Sequence, residues 1–351
     1  MPSARRVVYA YDDVFLRHDF PGHPESPARL RAITRELARA GLDDRLIPLP
    51  FTPASDQQLA RVHDRRYLAW LASTANGPAG YVTPDTYIAP GSHAAATSAA
   101  GATIECLRAV LDGRAEPALA LVRPPGHHAR PAQPMGFCLL NNIACAASEA
   151  IEVAGLERVL IFDFDIHHGN GTQEAFYDDP RVYYVSIHQR PPLFPGSGTV
   201  EERGRGAGYG YTANVPLPPG AGDASYQACL EQIVVPLAES YRPQAILVSA
   251  GYDCHWREEV YLADMRLSLG GGFDSVTQRL VELANRLCQG RIVFVLEGGY
   301  DLEVLSAGVA NLARILLGAP EECDDPFGPS PRPSQDDLDY IRSLRHRFGV
   351  Y

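Results

Sequence analysis

Apolar residues gather into short continuous runs at residues 7–11, 118–122, 159–164, 182–187, 245–249 and 292–296. Runs of this length without polar alternation predict strands buried on both faces of a sheet. Between them lie stretches of helical character at residues 27–40, 92–111, 142–152, 225–239 and 273–287, the second of them rich in alanine. Alternation of the two kinds predicts an α/β fold with a mostly parallel central sheet flanked by helices. No internal repeat is present, and the linker-like stretch at residues 318–333, rich in proline and acid, precedes a short amphipathic tail at residues 335–348. The reading is one domain over residues 1–351, with a core at about 5–317 and a linker and helical tail at 318–351 that packs back onto it.

Open α/β sheets gather ligands beyond the carboxyl ends of their strands. Here the apolar runs are followed by RPPGHH, DFDIHHGNG, HQRPPLFPGSG, SAGYDCHW and EGGYD. Five strand ends therefore carry polar or glycine-rich sequence at once, which places the expected site there.

Composition narrows the classes. The hydrophobic fraction of 46% and charged fraction of 21% are those of an ordinary globular protein. A net charge of −11 argues against stable nucleic-acid binding, which needs a basic surface. All 31 basic residues are arginine and none is lysine. Seven scattered cysteines without a CxxC pair read as buried thiols of a reducing compartment. No apolar stretch of about 18 residues and no signal-like amino terminus occurs, so the expectation is a cytoplasmic protein with no membrane association.

The run after residue 159 crowds acids and imidazoles against the end of a hydrophobic strand. Asp165 and His167 stand two residues apart, so both side chains can leave the sheet on one side. A carboxylate and an imidazole are typical zinc ligands, and a catalytic zinc needs a third protein ligand plus an open position. Asp253 in SAGYD is the candidate third. His127 and His128, in a turn fixed by two prolines and Gly126, can approach a metal-activated water and move its proton. Tyr300, in the turn after residue 296, has the character of an oxyanion donor.

Taken in order, RPPGHH, MGFC, NN, DFDIHHGNGTQ, FPGSG, AGYD and LEGGY resemble the zinc-dependent histone deacetylase superfamily, which includes acetylpolyamine amidohydrolases and acetoin-utilisation proteins. The resemblance runs from HPESPARL at His23 to the helix after Tyr300. It implies a deacetylase-like fold, one catalytic Zn2+ on Asp165, His167 and Asp253, and a structural cation, K+, near Asp163, Asp165, His167, Ser186 and Ile187. It also implies that His128 is the general base and acid and His127 its electrostatic partner, oriented by Asn170 and Asp163 respectively. The asparagine at 170 resembles the class II branch, since class I members carry aspartate. Tyr300 would be the transition-state tyrosine, Phe137 and Phe194 the tunnel aromatics, Gly136 the tunnel floor, Asp85 the rim carboxylate, and Arg29 a lining of the acetate exit channel.

The substrate class implied is an acylated lysine in a peptide or protein, with an acetylated polyamine or other small amide as the alternative. Polyamine-selective relatives place acids at the tunnel mouth. The corresponding segment here, REEVYLADM, is two residues longer than usual, leaving Val260 or Leu262 as gatekeeper with Glu258 and Glu259 close by. A non-catalytic binding protein with a relict site is disfavoured because every ligand and catalytic position is filled. An arginase-like dimetal site is excluded on residue type, since Gly169 and residues 254–256 supply no further acid.

Overall fold

The computed structural model describes residues 5–260, 262–335 and 337–349. Among these residues the strands are β1 (Val8–Ala10), β2 (Ile47–Pro48), β3 (Gly80–Tyr81), β4 (Tyr87–Ile88), β5 (Pro117–Ala120), β6 (Val159–Asp163), β7 (Val182–Gln189), β8 (Thr212–Leu217), β9 (Ala245–Ala250) and β10 (Ile292–Leu296). Eight of the strands form one sheet in the order β2-β1-β5-β10-β9-β6-β7-β8, with every pairing parallel. Only β3 and β4 stand apart, as an antiparallel ribbon. The helices are α1 (Ala28–Arg39), α2 (Asp56–Leu59), α3 (Arg65–Ser73), α4 (Ser92–Leu111), α5 (Asn142–Glu152), α6 (Asn170–Phe176), α7 (Asp223–Cys229), α8 (Val235–Tyr241), α9 (Ser275–Cys288), α10 (Leu302–Leu316) and α11 (Leu338–Arg347).

The fold is thus a single-domain α/β architecture with a parallel sheet flanked by helices. The central strands β6, β9 and β10 are buried along their whole length, because helices cover both faces and no position faces water. Helix α4 is buried along most of its twenty residues and packs on β1, β5 and α5. Its approach to the segment at residues 52–54 is close: a Cβ on Gly101 would lie 2.0 Å from the Thr52 carbonyl oxygen.

Of the elements that differ from the pattern expected of the sequence, two have a reason in the residues themselves. The helix expected over residues 225–239 is broken into α7, a π-helical turn at Leu230–Val234, and α8. Pro236 near the start of α8 has no N–H to donate into the preceding turn, which explains the reorganised ladder. Strand β8 was not expected, since in TANVPL Thr212, Asn214 and Pro216 alternate with Ala213, Val215 and Leu217 and no continuous apolar run forms, although all six positions are buried.

Helix α11 lies against α7 and the π turn, burying Ile341, Leu344 and Phe348. The Tyr340 hydroxyl donates to the Pro216 carbonyl of β8 at 2.9 Å. No helix among the described residues is long and apolar enough to cross a membrane.

Strands β5, β10, β9, β6 and β7 are consecutive neighbours, so the loops at their carboxyl ends converge at one pole of the sheet. The motif-bearing sequences all lie in those loops.

Candidate active site

Asp163 is the last residue of β6, and the chain continues outward so that Asp165 and His167 meet Asp253 from the loop after β9. The donor atoms of Asp165, His167 and Asp253 all lie within 4.8 Å of one another. His167 Nδ1 stands 3.0 Å from Asp165 Oδ1 and 3.3 Å from Asp253 Oδ2. Asp165 Oδ2 accepts the Gly298 N–H at 2.9 Å, and Asp253 Oδ1 accepts that of Ile166 at 3.0 Å. Asp253 Oδ2 is buried without an aligned donor, since His167 Nδ1 is engaged by Asp165.

Buried carboxylates this close oppose each other's charge. Burial and the neighbouring Asp165 push the Asp253 carboxyl up, whereas at Asp165 burial is outweighed by His127 and His167, which hold it low. Two carboxylate oxygens and an imidazole nitrogen around an unsatisfied oxygen fit a divalent metal ion, whose charge relieves the repulsion. The backbone comes close to make this cluster. A Cβ on Gly251 would lie 2.1 Å from Asp165 Oδ2, and one on Gly298 would lie 2.3 Å from Asp253 Oδ2.

The two adjacent histidines stand beside the cluster with ring centroids 4.0 Å apart. His127 Nδ1 pairs with Asp163 Oδ2 at 3.0 Å, and the Tyr184 hydroxyl donates to the same oxygen at 3.0 Å. His128 Nδ1 pairs with Asn170 Oδ1 at 2.8 Å. Their environments drive them apart electrostatically. Burial would lower His127, but Asp163, Asp165 and Glu297 outweigh it and hold the imidazole up to about 10. His128 is lowered by burial and by the positive rings of His127 and His167, so it is neutral at physiological pH.

Tyr300 lies near Asp253 and Asp165, and its phenol is held well above its ordinary value by burial and so remains a donor. The Arg29 guanidinium lies over its ring, 5.1 Å from the centroid. Arg29 is fully buried, donating to the Gly299 carbonyl at 2.7 Å and to the Glu297 carbonyl, and pairing with Glu25 at 3.2 Å.

A cavity of about 530 Å³ opens from these groups to the surface, lined by Phe137, Phe194, Gly136, Val260, Leu262 and Asp85 as well as His127, His128, Asp165, His167 and Tyr300. Gly136 and Phe137 occupy the centre of a tight turn closed by Met135 and Cys138, and both have positive φ, 54° and 69°. Glycine is required at the first position, since a Cβ there would lie 2.4 Å from the His128 ring. The Phe137 amide donates to Thr86 Oγ1 at 3.0 Å, and that hydroxyl donates to Asp85 Oδ1 at 2.9 Å, linking wall to rim.

Both gatekeeper candidates line the mouth. Leu262 is 53% exposed with φ of 63°, and its carbonyl accepts from the Gln189 side chain at 2.7 Å. Glu258 is turned away from the mouth: its carboxylate accepts the amides of Tyr300 at 2.9 Å and Asp301 at 3.2 Å. Glu259 is exposed and does not line the cavity.

Of the residues expected near a structural cation, Ser186 is the register partner of Asp163, and Ile187 follows it on β7. The Ser186 hydroxyl pairs with His188 Nδ1 at 2.8 Å.

Several positions were passed over by the sequence reading. Glu297 is fully buried beneath the His127 turn, accepting the amides of Gly126 at 2.7 Å and His127 at 3.1 Å and the Ser249 hydroxyl at 3.1 Å. Glu25 is gripped by Arg123 and Arg29, all three buried. The available signal was an acid directly ending an apolar strand at 297, and an acid within HPES at 25.

Comparison with known proteins agrees with this arrangement. The family model described as histone deacetylase domain matches residues 23–316. "Histone deacetylase 10, chloroplastic" of Oryza sativa subsp. japonica is 39% identical, covering 95% of this chain and 79% of that protein. The "Probable deacetylase" of Archaeoglobus fulgidus is 40% identical over 84% of this chain and 81% of its own. The "Histone deacetylase-like amidohydrolase" of Pseudomonas aeruginosa is 41% identical over 87% and 80%. Among solved structures, the crystal structure of the HDA15 HD domain superposes with a TM-score of 0.88 at 34% identity, covering 98% of this chain and 94% of that one. A family match over most of the length, joined to relatives of this identity and coverage, shows that the chain belongs to the histone deacetylase family.

Proposed function

We propose that this chain is a zinc-dependent amidohydrolase that removes acetyl or other acyl groups from lysine side chains of peptides or proteins, acting in the cytoplasm. Asp165, His167 and Asp253 would hold the ion. When bound, it supplies Lewis acidity and a hydrolytic water of lowered pKa. The remaining chemistry belongs to the side chains described above.

His128 is neutral, and its Nδ1–H is committed to Asn170, which leaves Nε2 free to take the proton of the attacking water and return it to the departing amine. His127, protonated between Asp163 and Asp165, contributes positive charge beside it. The Tyr300 phenol donates to the oxyanion as the carbonyl becomes tetrahedral. Phe137 and Phe194 flank the acyl-lysine stem with Gly136 at the floor, and Asp85 receives substrate backbone at the rim. A potassium ion at Asp163, Asp165, His167, Ser186 and Ile187 would brace the metal-binding loop.

What carries this reading is the donor cluster of Asp165, His167 and Asp253, whose cavity is lined also by His127, His128 and Tyr300. An acyl-lysine is favoured over an acetylpolyamine because Val260 and Leu262 line the mouth while Glu258 is spent on backbone amides. Seven cysteines without a disulfide suit the cytoplasm.

Acetate release by zinc-loaded protein from an acetyl-lysine peptide and from N-acetylputrescine, measured side by side, tests the proposal. The peptide is expected to be the better substrate, and Tyr300→Phe is expected to lower turnover by roughly 10²–10³-fold. A wide preference for N-acetylputrescine would move the substrate to polyamines. Near-full activity of Tyr300→Phe would remove the tyrosine from the mechanism.

A further inference from the structure

The peptide unit that joins Gly299 to Tyr300 is held at both ends by side chains, the Arg29 guanidinium and the Glu258 carboxyl group. Its carbonyl oxygen accepts from Arg29 Nε at 2.7 Å, and its N–H donates to Glu258 Oε2 at 2.9 Å. The Asp301 amide donates to the same carboxylate at 3.2 Å, so Glu258 also sits at the amino terminus of α10, where negative charge is favoured. Gly299 has a φ of 111°, and a Cβ there would lie 2.8 Å from Tyr252 Cβ. The peptide unit is therefore constrained by the Gly299 conformation and by one side-chain hydrogen bond at each end.

Glu258 reaches this peptide from a well-anchored turn. Its own amide donates to the His255 carbonyl at 2.9 Å, the Trp256 amide to Leu267 at 3.1 Å, and the Trp256 indole to Gly328 at 2.9 Å. Arg257 beside it pairs with Asp301 at 3.1 Å and Glu303 at 2.9 Å, fastening the turn to the start of α10 a second time. Two residues further on, Val260 enters the cavity mouth.

We propose that Glu258 is a positioning residue for Tyr300, fixing the phenol through the peptide unit that precedes it. The inference rests on the reading of Tyr300 as oxyanion donor. It also accounts for the departure of Glu258 from the cavity mouth, where an acid would otherwise have served as a cation receptor.

A double-mutant cycle on kcat with the acetyl-lysine peptide tests it, using Glu258→Ala, Tyr300→Phe and the double variant, each checked for zinc content and melting temperature. Glu258→Ala is expected to lower kcat by up to about 10²-fold while KM stays near that of the parent. The double variant is expected to fall within about twofold of Tyr300→Phe alone, because the glutamate acts only through the phenol. Glu258→Gln, which keeps one acceptor oxygen, should recover part of the loss, and it replaces the alanine variant in the cycle should that one not fold. Losses that multiply in the double variant, or parental kcat in a folded, zinc-loaded Glu258 variant, would overturn the proposal. If Tyr300→Phe is itself near fully active, the failure lies in the reading of Tyr300.

Discussion

A methyl group on Gly251 would stand 2.1 Å from an Asp165 oxygen, 2.5 Å from its Cγ and 2.7 Å from its Cβ. Gly251→Ala therefore displaces the carboxylate from the donor cluster. Zinc titration monitored by a competing chelator is expected to show affinity reduced by about 10–100-fold, the scale seen when the support of a metal ligand is disturbed. Parental affinity would show that Asp165 is not a ligand. Residues of this kind differ in how openly the sequence declares them. Asp165 and His167 are two positions apart just beyond the end of β6, so their closeness was legible, although it is a bend closed by the His167 N–H on Asp165 Oδ1 that brings them together. The partners of Tyr300 are 42 and about 270 positions away, and Glu258 looks on paper like an acid of the cavity mouth. Pairings at that distance depend on the register of the whole sheet, which no local pattern contains.

Among the elements, α4 shows how closely secondary structure is fitted to its surroundings. Replacing Gly101 by alanine raises helix propensity by about 1 kcal/mol. The added Cβ, however, would meet three backbone atoms of residues 52–54 at 2.0, 2.7 and 2.9 Å. Overpacking wins: a net destabilisation of roughly 1–3 kcal/mol is expected, seen as a melting temperature lowered by several degrees. An unchanged or raised melting temperature would mean that the segment moves aside freely. Strands β6, β9 and β10 were legible as apolar runs because both their faces are covered. Strand β8 was not, since its buried Asn214 is satisfied by distant partners, Gln173 Oε1 at 2.7 Å and the Thr199 and Glu202 carbonyls, and hydropathy counts such a residue as exposed. The π turn before α8 was equally hidden, although Pro236 marked the place.

At the scale of the molecule, Glu25 ties distant parts of the chain together. It receives Arg123, which also donates to the Phe15 and His18 carbonyls at 2.9 Å, and it receives Arg29 from α1. Burial would raise its carboxyl, but Arg123, His18 and Arg29 outweigh burial and hold it near 2, below the ordinary 4.5. A lowered folded value means that the stabilisation is complete above about 4.5 and is lost as pH falls through that range toward 2. Glu25→Gln leaves two buried guanidinium groups without their counter-charge, which costs about 3–5 kcal/mol near neutrality. In urea titrations its deficit relative to the parent should shrink as pH falls from 6 to 3. A deficit that stays constant would show that Glu25 does not ionise as described.

Both outer strands of the eight-stranded sheet contain a proline: Pro48 in the two-residue β2 and Pro216 in β8. Neither outer strand presents an unbroken row of N–H groups, and the Pro216 carbonyl is already taken by Tyr340 of the returning α11. The carboxyl-terminal helix thereby helps to blunt an edge that another copy of the chain would otherwise use for strand addition, so the same contact that completes the fold guards it against amyloid-like stacking.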